Sequence, residues 1–216
     1  MSRIQAAADH VEQRRLLHAA EARFDSVGYY GTSIRKIVAD AGCSCAAFYD
    51  HFPSKQALLL EIIDATFTTA VAQIEAAVAL AGEDALGRLE AAVWAQCDFH
   101  IRYGRAWRVA ESEWFNLSAA DRDRLAVKRA RSVEIISEII GEGAAGGAFD
   151  VDEPAATGAA VSTMCGAIGS WYEPGGRHTP RRVTKLYCDL AARMVGADLS
   201  SAGRPRNQTG QERRSA

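Results

Sequence analysis

The 216-residue chain predicts an all-α fold, with an N-terminal three-helix unit over residues 1–53, a larger helical domain over 54–199 and a disordered tail over 200–216. Three observations carry that reading. Apolar residues recur at i, i+3, i+4 and i+7 through nearly every segment, strand-like alternation of β-branched residues is missing, and each periodic run is bounded by a cap residue, a glycine or a proline.

The first helix is expected over about residues 11–27, with Leu16, Leu17, Ala20 and Phe24 on one side and Gly28 just past its end. Thr32 is read as the N-cap of a second helix carrying Ile34, Ile37, Val38 and Ala41, which Gly42 stops. Ser44 caps a short third helix whose Phe48 and Phe52, four apart, share a face, and Pro53 closes it. Ser54 then caps a connector running through Lys55, Leu58, Ile62, Phe67 and Ile74 to Leu80. Beyond Gly82, helices are expected near residues 84–102, 105–116, 118–145, 153–171 and 179–195, separated by Gly104, Asn116 to Ser118, Gly146-Gly147, Pro154 and Pro174-Gly175-Gly176. The tail from Ser200 holds no large apolar residue.

Composition narrows the function classes. With 48% hydrophobic residues the chain has material for a packed core, and its net charge of −2 confines any nucleic-acid contact to a local patch. The first sixty residues hold seven Lys or Arg against six Asp or Glu, a net +1 that leaves −3 for the remainder. The five cysteines are an odd number scattered through apolar patterns, which suits reduced thiols, and Cys43-x-Cys45 lacks a second ligand pair for zinc. Apolar runs are interrupted short of a membrane span, and the N-terminus has no apolar core of a secretory signal, so a cytoplasmic protein without membrane association is expected.

Two short helices joined by Ala41-Gly42-Cys43 have the form of a helix-turn-helix, in which the second helix enters the major groove and the first braces it. The whole run from Thr32 to Lys55, with its aromatic-rich ending Phe48-Tyr49-Asp50-His51-Phe52 and the Ser54-Lys55 that opens the connector, closely resembles the DNA-binding segment of the TetR family over about residues 15–60. Cys45, Ala46, Tyr49 and His51 are expected on the face opposite Phe48 and Phe52, where small residues admit the backbone to the groove and the Tyr49 hydroxyl suits a phosphate or base edge. Thr32, Ser33, Ser44 and Lys55, at helix starts, are expected to meet phosphates, with Arg35 and Lys36 supplying charge. Cys45 departs from the family pattern, which places Lys or another polar residue there; as an exposed thiol it also admits a redox reading, though no neighbouring cation activates it.

The resemblance implies that the remaining helices form a dimerisation and effector-binding domain, that the partners are double-stranded operator DNA, a small-molecule effector and a second copy of the chain, and that repression is the usual mode. The small residues between Glu153 and Trp171, facing a last helix with Val183, Leu186, Tyr187, Leu190, Ala191 and Met194, suit a homodimer interface. Candidate effector-site residues are Trp94, Cys97, His100, Tyr103, Trp107, Glu111, Trp114 and Phe115, with Met164, Ile168 and Trp171 facing them. Ordinary core packing is the competing reading for each aromatic. Arg102, Arg105 and Arg108 form either a solvated face or an anion clamp. Ser170-Trp171-Tyr172-Glu173-Pro174-Gly175-Gly176 with Thr179-Pro180 is similar to a segment of TetR-type regulators of fatty-acid, phenylacetate and steroid catabolism, which implies an acyl-CoA effector; the same segment also serves as a plain turn. A free acid or a drug is the alternative ligand. Cys97 and His100 lack a third metal ligand, no cofactor motif is present, and Glu111, Glu113 and His100 form no organised acid–base set, so neither a helical enzyme nor an adaptor without DNA binding is favoured.

Overall fold

A computed structural model describes residues 3–197, and among the described residues it is helical without strands. The helices are α1 (Arg3–Gly31), α2 (Ile34–Ala41), α3 (Cys45–His51), α4 (Lys55–Leu80), α5 (Ala85–Ser112), α6 (Ala119–Ala145), α7 (Pro154–Gly166), α8 (Ile168–Trp171) and α9 (Pro180–Met194), with a 3₁₀ turn over Trp114–Asn116. The expected tail over 200–216 lies outside the described residues.

Two buried clusters organise the chain. The first gathers Leu16, Phe24, Ile37, Phe48, Phe52 and the early residues of α4 from Leu58 to Phe67, and it extends to Val109, Trp114 and Leu125 from α5, the 3₁₀ turn and α6. The second takes Ile74 from the far end of α4 and joins it to α5, α6, α7 and α9 through Leu89, Ile136, Val161, Val183 and Tyr187. By length and composition α4 is apolar enough to cross a membrane. Its buried residues instead pack into both clusters, as those of a central core helix do.

Local chemistry sets most boundaries as expected. Ser44, Ser54, Ser118 and Thr179 accept hydrogen bonds from backbone N–H groups in the first turns of α3, α4, α6 and α9. Gly42, at φ 62, closes α2 while the N–H of Cys43 reaches back to Val38 O at 2.9 Å.

Several expectations are corrected. Ser33, not Thr32, caps α2. Gly104 does not end a helix: α5 runs through it, bent at Tyr103 (φ −115, ψ 22). The glycine serves proximity instead, since a Cβ at 104 would lie 3.4 Å from Gly169 Cα of α8. The segment 153–171 is two helices rather than one. The apolar stripe of α9 also divides, with Val183, Tyr187 and Ala191 buried in the chain's own core and Leu186 and Met194 exposed.

The α6–α7 crossing is tighter still. A Cβ at Gly158 would stand 2.8 Å from Ser137 Cα, a backbone atom that cannot swing aside. Gly158→Ala should therefore cost about 1–3 kcal/mol of stability by overpacking. Denaturant unfolding should also show that adding Ser137→Ala recovers only part of the loss.

Candidate functional site

Helices α2 and α3 are held by short-range devices that leave one face open. Arg23 of α1 grips Asp40 of α2 through two bonds of 2.5 and 2.8 Å. Arg15 reaches Gly42 O at 3.4 Å, beside the turn between the helices. In α3, Phe48 and Phe52 are buried while Cys45, Ala46, Tyr49 and Asp50 are exposed. Tyr49 is 57% exposed and its ring rests edge-on against Phe48, centroids 5.4 Å apart. Ser33, Arg35, Lys36 and Ser44 also lie on the surface. The Lys36 amine is within 3.3 Å of Gly31 O.

Three residues expected at the DNA face turn toward the protein instead. Thr32 is 2% exposed, and its hydroxyl donates to Gly28 O at 2.9 Å because the chain breaks from helical geometry at Gly28 (φ 73, ψ 170). Lys55 donates to Tyr29 O and Thr32 O, both at 2.7 Å, and lies 4.0 Å from the centre of the Tyr29 ring. Burial lowers its pKa, and nearby Glu113 works against that shift. His51 is half-buried with Nε2 at 3.6 Å from the Glu12 carboxylate of α1.

A cavity of about 830 Å³ lies among α1, α4, α5, α6, α7 and the α7–α8 junction. Phe67, Ala70, Ile74, Phe99 and Trp107 form its apolar wall. Within it, Gln96 Oε1, His100 Nδ1 and Ser162 Oγ are buried without a hydrogen-bond partner. A buried polar group left unpaired costs about 1–3 kcal/mol, so three lining one cavity are groups that a bound polar molecule would satisfy. His100 stacks edge-on to Trp107 at 4.6 Å, and burial lowers its pKa to about 4, so it is neutral at pH 7.

Of the residues expected at an effector site, His100, Trp107 and Glu111 line this cavity. Trp94, Tyr103, Phe115 and Trp171 do not line it and are exposed, Tyr103 with its ring against Phe99 and Trp171 stacked on Tyr187, to whose hydroxyl its indole N–H donates. Cys97 and Ile168 are fully buried in the second core cluster, against which Met164 packs. Trp114 lies in the first cluster, against Phe67. Cys97 Sγ stands 3.8 Å from Cys165 Sγ; that hydrogen bond, then burial, drives the thiol pKa up and keeps it protonated. Among the described residues no three or more of His, Cys, Asp and Glu come together as metal ligands would.

The cavity residues missed from sequence include Asp25, Phe67, Gln96, Phe99, Arg129 and Ser162, while Arg108, one of the three clustered arginines, does line the cavity. Gln96 carried a usable signal, because it precedes His100 by one helical turn on an otherwise apolar stripe. At the rim, Arg108 holds Asp25 of α1 through two bonds of 2.8 and 2.7 Å and donates a third, 2.7 Å, to Gly169 O of α8. The hydrogen bond from Arg108 keeps the Asp25 carboxyl below the usual range. Arg129 of α6 pairs with Glu111 at 3.2 Å and lies over the Trp114 ring at 5.1 Å.

Comparison with known proteins agrees in both parts of the chain. Residues 16–62 match the family described as bacterial regulatory proteins, tetR family, and residues 82–195 match the tetracyclin repressor-like C-terminal domain. A bacterial regulatory protein in the tetR family from Rhodococcus RHA1 superposes with a TM-score of 0.80 at 28% identity, over 87% of this chain and 98% of that one. The TetR family transcriptional regulator PfmR from Thermus thermophilus gives 0.76 at 28% identity, over 83% and 97%. At 20% identity, where only the fold is compared, AibR in complex with isovaleryl coenzyme A and operator DNA gives 0.75 over 87% and 100%. No curated protein matches the sequence.

The neutral His100 has a consequence for stability. Its folded pKa of about 4 lies below its ordinary 6.5, so between those values the unfolded chain binds a proton that the folded chain does not. Its contribution is therefore present above pH 6.5 and is lost as pH falls toward 4, with a slope of up to about 1.4 kcal/mol per pH unit. Thermal unfolding of His100→Asn should show a shallower acid-side decline than the wild type.

Proposed function

The chain belongs to the TetR family of bacterial regulatory proteins, and on that premise we propose that it is a cytoplasmic repressor that binds a palindromic operator as a homodimer and releases it when an amphipathic effector enters the cavity. As a TetR-family transcriptional regulator it is a DNA-binding protein rather than an enzyme. One observation carries the release step. Asp25 sits on α1, the helix packed against α2 and α3, and lines the same cavity as the unpaired Gln96, His100 and Ser162 atoms. A molecule in that cavity meets the DNA-binding unit directly.

The exposed face of α3, with Ala46 and Tyr49 at its centre, is the surface offered to the major groove. Dimerisation is supported by the outer faces of α7 and α9, where Ala155, Ala156, Ala159, Ala160, Leu186 and Met194 are exposed. For the effector we favour an acyl-CoA. Phe67, Ile74, Phe99 and Trp107 suit an acyl chain, and the similarly folded AibR was solved with isovaleryl coenzyme A and operator DNA. Of the three clustered arginines only Arg108 reaches the cavity, because Arg102 turns outward to pair with Asp98 at 2.8 Å and Arg105 is exposed. A cationic drug is disfavoured: both rim carboxylates, Asp25 and Glu111, already pair with arginine, and Glu113 accepts from Tyr29 N outside the cavity.

Light scattering should find a dimer at micromolar concentration, and a stable monomer would overturn the palindrome reading. Tyr49→Ala should weaken binding to the protein's own upstream region by about 1–3 kcal/mol with circular dichroism unchanged. Lys55→Ala should instead lower stability, by about 1–3 kcal/mol, while leaving the salt dependence of DNA binding unaltered, since its amine bonds backbone carbonyls. In gel shifts across acyl-CoAs, free acids and cationic dyes, thioesters should release the DNA; release only by an acid or a dye would end the acyl-CoA reading and leave the repressor reading standing.

A further inference from the structure

The cavity has two chemically distinct regions. Along one wall, Gln96 and His100 stand one turn apart on α5, with Ser162 on α7 also lining the space, and none of the three unpaired atoms carries charge. At the rim, the Arg108 guanidinium bridges α1 and α8 through Asp25 and Gly169 O. We infer that the cavity takes a ligand with a neutral oxygen, carbonyl or hydroxyl, held by Gln96, His100 and Ser162, and with an anionic group that draws Arg108 away from Asp25 and so unlatches α1. This rests on the repressor reading above and specifies the ligand's chemistry and the means of release.

The neutral-oxygen requirement follows from what each atom needs. Ser162 Oγ and an imidazole N–H donate to a carbonyl or hydroxyl oxygen, and a hydroxyl in turn donates to Gln96 Oε1. A charged ligand group in this place would be buried beside the neutral side chains of Gln96 and Ser162, whereas the cavity's arginines stand at the rim with Asp25 and Glu111. The anionic requirement follows from the rim. Both cations there, Arg108 and Arg129, are matched to carboxylates, so an incoming anion competes with those carboxylates for them. Displacing Glu111 frees a side chain of α5 itself. Displacing Asp25 cuts the two-bond ion pair that ties α1 to α5. Two recognition helices hold a fixed separation only while each α1 is fixed to its own effector domain, so a loosened α1 must be reordered on DNA and affinity falls.

The latch is tested first without ligand, on operator DNA selected by the wild-type protein from a random pool. Asp25→Asn and Arg108→Gln should each raise the operator Kd by about 5- to 150-fold, the usual range of coupling between sites, with circular dichroism unchanged. The double variant should be no weaker than the singles. If Arg108→Gln fails to fold, Asp25→Asn decides alone, and operator binding as tight as or tighter than wild type overturns the latch. Calorimetry and gel shifts with four probes then test the ligand: 10-hydroxydecanoate, its methyl ester, decanoate and decanoyl-CoA. The hydroxy acid should bind more tightly than decanoate, and Ser162→Ala should erase that advantage. The methyl ester should bind without releasing DNA. Release by decanoyl-CoA but not by the hydroxy acid assigns the anion to coenzyme phosphates and the oxygen to the thioester; the converse assigns the anion to a carboxylate. Release by the ester, equal binding of decanoate and hydroxydecanoate, or no binding by any probe overturns the inference. If the wild type selects no DNA, the repressor reading fails, and the inference is judged separately by whether Asp25→Asn, which frees Arg108, binds the acidic probe more tightly than wild type.

Discussion

The DNA-binding face depends on how the end of α1 is joined to α2, a junction pinned by residues from the two helices that flank the cavity. Gly28 leaves helical geometry one turn before α1 ends, and the carbonyls from Gly28 to Thr32 need partners from beyond their own helix. The donors and acceptors come from far along the chain. Lys55, at the start of α4, bonds two carbonyls of the turn, and Glu113, at the end of α5, accepts from Tyr29 N while its other oxygen takes the Asn116 amide at 2.5 Å. A half-buried cation and a buried carboxylate thus fix the turn from opposite helices. The Thr32 hydroxyl closes the remaining gap to Gly28 O.

Packing extends this junction into a continuous body. Helix α4 gives Leu58 to Phe67 to one cluster and Ile74 to the other, so a displacement at one end is carried along a helix gripped at both. Helix α5 does the same in the other direction, from Leu89 in the second cluster to Val109 and Ala110 in the first. The cavity opens between these two shared helices, where Phe67 and Ile74 of α4 face Gln96, Phe99, His100 and Trp107 of α5. A ligand there sits between the elements that connect the two cores.

The sequence disclosed the parts of this arrangement governed by neighbours within one or two turns. Ser44, Ser54, Ser118, Thr179 and Gly42 have the roles their local pattern implies, and the split of α3 into a buried Phe48–Phe52 edge and an exposed Tyr49 face follows from helical periodicity. What depended on distant partners was not legible. Thr32 and Ser33 are adjacent and equally fit to cap, and the choice falls to Ser33 because Thr32 is drawn to Gly28. Gly104 reads as a stop until Gly169 is seen against it. The aromatic crowd from Trp94 to Phe115 suggests one chamber, but side chains on a helix fan out by about 100° per residue, so His100 and Trp107 turn in while Trp94 turns out; Tyr103 shares their stripe but sits at the bend in α5, exposed, with its ring against Phe99. Asp25, Phe67, Arg129 and Ser162 reach the cavity from four other helices, which no single stretch of sequence could announce.

The outer face of α7 has a property that emerges only when its residues are considered by what they lack. Ala155, Ala156, Ala159 and Ala160 are exposed there and have no rotatable side-chain torsions beyond a methyl. A surface laid on that face immobilises almost nothing on this side, whereas each long side chain caught in an interface forfeits about 0.5–1.5 kcal/mol of rotational freedom. Contact distance is then set by the polypeptide backbone rather than by a choice among rotamers. A seam of that kind has little give: it passes a tilt or a slide across to whatever rests on it instead of absorbing the movement in rearranging side chains.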